Sequence, residues 1–173
     1  MINAKDLIKI QTIKDHKNLK NQFLYYFDRV KAPRKIDNSD DIINTDYGLD
    51  IDKEYLNLFT SEILPLTYNK DYRVAMVHNV WFQQYVENNF HNWHIHGPCH
   101  FSHIYFIELP SKSLATEFYW NKLIKINVKE GDLISFPAYM IHRSPKNNSK
   151  NRKTILSFNT SFDEVMIPNL KLN

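Results

Sequence analysis

Two segments in the first 70 residues repeat their apolar positions at helical spacing. Apolar residues lie three or four positions apart in residues 16–30 and again in residues 52–66, with polar residues on the opposite face. This pattern predicts two amphipathic helices. The segment 7–13 is predicted to be a short edge strand, and the polar run 31–50 is predicted to be a loop.

The pattern changes to strands after residue 71. β-Branched and aromatic residues are concentrated in short runs, and loops of Pro, Asn, Ser and Lys separate these runs. Several short strands at regular spacing are typical of an all-β sandwich or barrel, with the two helices covering one sheet. The predicted strands are residues 73–86, a strand near 94–96, and residues 101–109, 115–120, 124–128, 132–136, 141–144 and 153–161.

Composition favours one packed domain. The 173 residues are 43% hydrophobic and 14% aromatic, which is enough for a sizeable core. We therefore predict a single domain over residues 1–173, with a helical part at 1–70 and a β-rich core at 71–165. The net charge of +3 is too small to favour nucleic-acid binding.

Cysteine content and hydropathy point to a cytoplasmic protein. Cys99 is the single cysteine, which excludes a disulfide within the chain and is typical of a reducing compartment. No apolar run approaches the roughly 20 residues that a membrane span requires, and the first residues do not resemble a signal peptide. We expect no membrane partner.

Five of the eight histidines lie between His91 and His103. His94 and His96 are two positions apart, so a strand would place both imidazoles on one face. His142 follows an apolar run that is predicted to be a buried strand. Two histidines from one strand and one from a strand across a barrel favour a metal site with open positions, rather than ordinary polar residues at strand ends.

Arg152 lies ten residues after His142, at the start of a predicted strand. Its planar guanidinium is suited to bind a carboxylate through two hydrogen bonds. The alternative is a solvated base at the end of a lysine-rich loop. The strand that follows alternates Thr154, Leu156 and Phe158 with Ile155, Ser157 and Asn159.

These motifs, in this order and spacing, resemble the 2-oxoglutarate/Fe(II)-dependent oxygenases over residues 79–159. The segment looks most like the short prolyl-4-hydroxylase-like members found in phages and marine microbes. In that family an HxD pair precedes a strand of type IYYL, a GD-apolar-FP turn, a distal histidine and a basic residue. The corresponding positions here are His94–His96, Ile104–Ile107, Gly131–Pro137, His142 and Arg152.

The resemblance implies a double-stranded β-helix (a jelly-roll, cupin-like fold) and an enzyme. It implies hydroxylation of a substrate with Fe(II), 2-oxoglutarate and O₂, releasing succinate and CO₂. Arg152 would bind the distal carboxylate of 2-oxoglutarate. His94, His96 and His142 would bind the iron, although His96 stands where the family has a carboxylate. The other residues that the resemblance brings to the cosubstrate or substrate are Ser102, Gln83 and Tyr85.

Two alternatives stay open at this point. The cupin pattern also fits His94, His96, Gly131, Pro137 and His142, and it predicts the same fold with a three-histidine dioxygenase or isomerase that does not use 2-oxoglutarate. The other alternative is a barrel that only binds a metal or a ligand. The substrate, a small molecule or a peptidyl group, and the oligomeric state are open. The roles of His91, His100, His103 and Cys99 are open as well. If a phage encodes the protein, we expect it to work in the cytoplasm of the infected host cell.

Overall fold

The protein has twelve described strands and two helical segments in a computed structural model that describes residues 3–31, 35–36, 40–49, 53–68 and 72–165. Helix α1 spans His16–Phe27, and α2 (Leu56–Leu58) continues through a π-helical turn (Phe59–Ile63) and a 3₁₀ turn (Leu64–Thr67). Further 3₁₀ turns lie at Ala4–Leu7 and Lys112–Leu114. The strands are β1 (Lys9–Thr12), β2 (Lys35–Ile36), β3 (Asp40–Ile42), β4 (Asn44–Thr45), β5 (Tyr72–Tyr85), β6 (Phe90–His94), β7 (Phe101–Glu108), β8 (Glu117–Trp120), β9 (Lys122–Lys125), β10 (Asp132–Pro137), β11 (Ile141–Ser144) and β12 (Lys153–Val165).

The strands form two antiparallel sheets that face each other. The major sheet has the order β1-β10-β7-β12-β5-β4, and the minor sheet has the order β2-β3-β6-β11-β8-β9. From β5 to β12 the chain passes repeatedly from one sheet to the other, with β8 and β9 pairing as neighbours within the minor sheet, as in a double-stranded β-helix. The predicted fold class, mainly β with helices on one sheet, is therefore confirmed.

Alternation along the major sheet separates two apolar cores. On β7, Ile104 and Phe106 point into the space between the sheets, whereas Tyr105 and Ile107 point to the helices. Neighbouring side chains on a strand lie on opposite faces, so one strand serves both cores. A sheet buried on both faces reads as a continuous apolar run, which is what Ile104–Ile107 shows.

Helix α1 packs on the outer face of the major sheet through aromatic rings. Its buried side chains are Leu19, Phe23 and Phe27. The Phe27 ring stacks on Phe82 of β5 with 4.3 Å between centroids, and Tyr55 meets Phe27 edge-on at 5.0 Å. The spacing of these positions along the helix explains why residues 16–30 carry a helical apolar pattern.

Asp46 ties the second helical segment to the sheet. Its buried carboxylate accepts hydrogen bonds from the Tyr55 hydroxyl and from the Phe82 backbone N–H (2.9 Å), and it lies 3.2 Å from the Lys53 ammonium. Burial and the Asp46 charge raise the pKa of the Tyr55 phenol above its ordinary value. A buried carboxylate with these partners is a fixed part of the core.

The main differences from the predicted elements lie before residue 72. The run 31–50 was expected to be a loop, but it contains β2, β3 and β4. These short strands lie at or next to the sheet edges. They form because neighbouring strands supply the hydrogen-bond partners, which a local pattern does not reveal. The second helix was predicted as one α-helix over 52–66. It changes type at Phe59 and Leu64, and its predicted start at Asp52 lies outside the described residues. None of the helices in the described ranges is long and apolar enough to cross a membrane.

The packing of α1 gives a stability prediction. Phe27→Ala removes a fully buried ring, so we expect the free energy of unfolding to fall by about 3–5 kcal/mol. Tyr25→Ala, on the exposed side of the same helix, is the matched control and should change it by less than about 1 kcal/mol. Urea unfolding followed by circular dichroism measures both. Equal losses in the two variants would contradict the packing described here.

Candidate metal centre

Three histidines meet at one end of the space between the sheets. His94 ends β6 and pairs in register with His142 of β11. His96 lies two residues beyond β6, where its backbone N–H donates to the Ala138 carbonyl at 3.0 Å. One ring nitrogen from each histidine lies within 4.8 Å of the other two. The predicted triad is therefore brought together, although only His94 of the predicted pair belongs to the strand.

Two of the imidazoles are oriented by backbone carbonyls. His94 Nδ1 lies 2.7 Å from the Asn92 carbonyl and His142 Nδ1 lies 2.8 Å from the Met140 carbonyl. A carbonyl only accepts hydrogen bonds, so Nδ1 carries the proton in both rings. Nε2 then has a free lone pair, which is the arrangement that metal-binding histidines have in proteins.

The environment keeps the cluster neutral. Burial lowers the pKa of His94, and burial together with the neighbouring His94 lowers the pKa of His96 to about 4. The pKa of His142 lies well below its ordinary value, first because the ring is buried and then because His94 is close. Neutral imidazole is the form that binds a metal, so these rings are ready to act as ligands near neutral pH.

No carboxylate joins the three histidines within the described residues. Asp132, which follows Gly131 in the turn motif, is used elsewhere. Its side chain accepts from the Thr12 hydroxyl (2.7 Å) and from the Lys129 backbone N–H (2.9 Å). The donor set is therefore three imidazoles, which suits Fe, Zn, Cu or Ni rather than Mg or Ca.

A cavity extends from the histidines into the space between the sheets. It holds about 340 Å³ of space, including the part that opens to solvent. Three residues that were predicted to contact a cosubstrate line it, namely Gln83, Tyr85 and Ser102. Further lining residues, which sequence reasoning did not single out, are Thr116, Ser144, Ile155, Ser157 and Asn159.

A second, outer groove adjoins this cavity. It holds about 600 Å³ of space, open solvent included, and shares with the cavity a wall whose residues are Trp81, Gln83, His91, His94 and His96. Its other lining residues are Ile42, Thr45, Tyr47 and Ile95. The histidine cluster thus stands between an inner cavity and an outer groove.

The structure does not bring Arg152 to this cavity. Its guanidinium pairs with Glu108 (2.7 Å) and with Asp28 (2.7 Å), which follows α1. Burial alone would lower the pKa of Arg152, but the hydrogen bonds to these two carboxylates raise it. Arg152 therefore fastens the helix to the sheet on the side away from the cluster. Its predicted cosubstrate contact has no support in this geometry.

Lys153, the next residue, is fully buried and faces inward. Its ammonium donates to the Ser144 hydroxyl and the Leu114 carbonyl, both at 2.7 Å, and lies 5.2 Å from the centre of the Tyr85 ring. Ser144 and Tyr85 line the cavity, so Lys153 stands directly behind its wall. Burial lowers the pKa of Lys153 to about 7.

The strand period explains why Lys153 and Arg152 differ. Ile155, Ser157 and Asn159 line the cavity, and Lys153 shares their face of β12. Arg152 shares the opposite face with Thr154, whose hydroxyl also donates to Glu108. The alternation in the sequence already contained this signal.

The remaining histidines have separate environments. His91 stacks on His94 with 3.9 Å between ring centroids, and it borders both the cavity and the groove. His103 is held between the Ser135 and Thr160 hydroxyls, and burial lowers its pKa to about 3. His100 accepts a hydrogen bond from the Phe162 backbone N–H at 3.2 Å. Cys99 is half-buried, and burial raises its pKa, so it is not activated as a thiolate.

Comparison with known proteins gives no match by sequence, since no family model matches the chain and no curated protein is significantly similar to it. Solved structures do match. A 2OG-Fe(II) oxygenase family oxidoreductase from Burkholderia pseudomallei has a TM-score of 0.67 at 9% identity, over 91% of this chain and 85% of that chain. A Pseudomonas putida prolyl-4-hydroxylase has a TM-score of 0.64 at 11% identity, over 90% and 92%.

A viral collagen prolyl hydroxylase from Paramecium bursaria Chlorella virus-1, solved as a 2OG complex, has a TM-score of 0.55 at 12% identity, over 89% of this chain and 95% of that chain. At such low identity these similarities show the fold and not the reaction. The chain therefore has the double-stranded β-helix fold that the 2OG-Fe(II) oxygenases and prolyl hydroxylases share.

Proposed function

We propose that this protein is a 2-oxoglutarate- and Fe(II)-dependent dioxygenase that hydroxylates its substrate. One observation carries the proposal. Three neutral imidazoles line a cavity, and a buried ammonium stands behind the part of the same cavity wall formed by Ser144 and Tyr85, which is the combination that a metal-chelating dicarboxylate needs. The fold shared with 2OG-Fe(II) oxygenases supports the same assignment.

His94, His96 and His142 would hold the iron. The donor set fits Fe(II), because two of the rings are already oriented by carbonyls and all three are neutral. Three protein ligands leave positions open on the metal for other groups. When bound, the iron would activate O₂ so that 2-oxoglutarate is oxidised to succinate and CO₂ while a substrate C–H bond becomes C–OH.

Lys153 takes the place that the sequence suggested for Arg152. Its ammonium would bind the distal carboxylate of 2-oxoglutarate at the inner end of the cavity. The Ser144 hydroxyl accepts a hydrogen bond from one N–H of this ammonium and so can orient it. An ammonium has three N–H donors, so it can bind a carboxylate as well.

Both hydrogen-bond acceptors of the Lys153 ammonium are uncharged, and Glu117, the carboxylate that acts on it electrostatically, already pairs with Arg143 and Lys125. A buried ammonium without a carboxylate hydrogen-bonded to it is costly to keep, which supports an anionic ligand at this position.

The rest of the cavity wall has a polar part and an apolar part, and we assign each a different role. Ser102 donates to Asn159 Oδ1 at 2.8 Å, so this pair forms a polar patch in the cavity wall that can contact the cosubstrate. Ile104 and Ile155 lie further along the same two strands and form an apolar part of the wall that excludes water. We further propose that the chain acts as one domain and that the substrate, a small molecule or a peptidyl group, enters through the outer groove.

One observation favours a second candidate. The all-imidazole donor set, with no carboxylate within the described residues, also suits a cupin-like three-histidine dioxygenase or isomerase that does not use 2-oxoglutarate. Lys153 separates the two candidates, because only the oxygenase requires a cation to bind a distal carboxylate.

The first test is an anaerobic titration of the Fe(II)-loaded protein with 2-oxoglutarate. We expect a weak visible charge-transfer band when the 2-oxo acid chelates the iron. Lys153→Met keeps a similar volume but removes the charge, so the apparent Kd for 2-oxoglutarate should rise by roughly 100-fold, in line with about 2–3 kcal/mol for a charged hydrogen bond. Arg152→Ala, which changes the adjacent residue on the outer face, should bind as the unmodified protein does.

The reverse pattern, with binding lost in Arg152→Ala and retained in Lys153→Met, would show that the anchor is Arg152. No band despite bound iron would favour the cupin-like candidate. Thermal unfolding provides the folding control. Lys153→Met should be at least as stable as the unmodified protein, since it replaces a buried ammonium by an apolar side chain.

The depressed pKa of Lys153 gives a pH prediction. In the free protein the ammonium loses its proton as pH rises through about 7. A cosubstrate that requires the charged form must then bind together with a proton. We expect the apparent Kd for 2-oxoglutarate to rise by about tenfold per pH unit above about pH 7.5.

Calorimetry in buffers with different ionisation enthalpies measures this proton uptake directly. Lys153→Arg keeps its charge at every pH used and should give a much flatter profile. A flat profile in the unmodified protein would contradict an anchoring role for Lys153.

A further inference from the structure

His96 is held differently from the other two histidines of the cluster. His94 and His142 are each fixed by an Nδ1 hydrogen bond to a backbone carbonyl. Neither ring nitrogen of His96 has a hydrogen bond to any residue that the structure describes. His96 also lies beyond the end of β6, so its backbone is held by a single bond to Ala138 rather than by a strand ladder. Packing must therefore orient this ring.

Trp81 supplies that packing. Its ring centroid lies 5.7 Å from that of His96, at an interplanar angle of 53°. The other rings beside His96 are His94 and His142, each at 5.0 Å, and both belong to the cluster itself. Among the ring contacts that His96 makes with described residues, Trp81 is thus the one made by a residue outside the proposed ligand set.

Trp81 is itself firmly held. It lies in the middle of β5, opposite Ser157 of β12, and it is only 4% exposed. Tyr47 covers its outer side edge-on, with 5.2 Å between ring centroids. The indole lines both the inner cavity and the outer groove, so it forms the wall against which His96 rests.

We propose that Trp81 is the positioning residue for the third ligand, His96. The indole does not touch the metal. It limits the rotation of an imidazole that has no hydrogen bond to fix it, and so the ring is in place before the metal binds. A ring left free to rotate must be ordered on binding, and that entropy weakens the metal affinity. This inference rests on the metal site proposed above.

The test is an anaerobic titration with Co(II) against a competing chelator, with the visible absorption of bound Co(II) as the readout. Loss of a residue that orients a ligand typically weakens metal binding by about 10–100-fold. We expect Trp81→Ala to weaken Co(II) binding within that range, about as much as His96→Ala does. The absorption spectrum of the two variants should also change in the same direction, because the His96 imidazole is poorly oriented in the first variant and absent in the second.

The double variant Trp81→Ala/His96→Ala decides how Trp81 acts. If the indole works only through His96, the double variant binds Co(II) no more weakly than His96→Ala alone. Trp93→Ala is the matched control. Trp93 is another tryptophan near the cluster in sequence, but its ring packs on Tyr119 and Arg143, so Co(II) affinity should not change.

Trp81→Phe provides a second test in case the alanine variant does not fold. It keeps an aromatic ring in the wall and should bind Co(II) with intermediate affinity, and again with no further loss when combined with His96→Ala. Circular dichroism and thermal unfolding of the metal-free variants confirm that each one is folded.

Three results would overturn the inference. Trp81 has no positioning role if Trp81→Ala or Trp81→Phe binds Co(II) within about twofold of the unmodified protein. It acts by general damage to the barrel if its substitution weakens binding equally with and without His96. If the unmodified protein binds no Co(II), or if His94→Ala and His142→Ala do not affect binding, the metal site itself is refuted and the role of Trp81 with it.

Discussion

The site depends on the two-residue period of β12, a strand that is buried on both faces. β12 lies between β7 and β5 in the major sheet, so every side chain along its central part enters either the cavity or the core beneath the helices. Leu156 and Phe158 belong to the helix-side core, whereas Ser157 and Asn159 line the cavity. Because both faces are filled, a shift of register by one residue would exchange the two sets and is strongly disfavoured.

Because of this alternation, two adjacent basic residues around the start of β12 point to opposite faces of the sheet. Arg152 reaches carboxylates on the outer side, where it joins the helical layer to the sheet. Lys153 is driven inward, and burial lowers the pKa of its ammonium from 10.5 to about 7. Protonation of a buried lysine opposes folding, so the cost is complete below about pH 7 and disappears as pH rises towards the ordinary pKa of lysine. A buried lysine therefore lowers the stability of the fold, which is common at functional sites.

The histidine cluster shows a related division between rigid and adaptable parts. His94 and His142 are paired across adjacent strands and fixed by carbonyls. His96 belongs to a segment outside the strand and relies on the surface of Trp81. Of the three clustered histidines, His96 is therefore the one that the backbone holds least. The geometry of the site at that point is set by aromatic packing and not by a hydrogen bond.

The sequence by itself determined the class of fold, the strands after residue 71 and the three histidines that meet, because strong periodicity and a dense histidine motif are local signals. Gln83, Tyr85 and Ser102, which the sequence suggested as cosubstrate contacts, line the cavity, and their contact with a cosubstrate stays a prediction. The short strands in residues 31–50, the contact of Trp81 with His96 and the ion pairs of Arg152 were decided only by the tertiary structure. Each of them depends on which distant segments become neighbours, and no local pattern encodes that. The position of Lys153 depended on both sequence and tertiary structure. The alternation along β12 determined which face of the strand carries Lys153, but only the packed barrel turned that face towards a cavity.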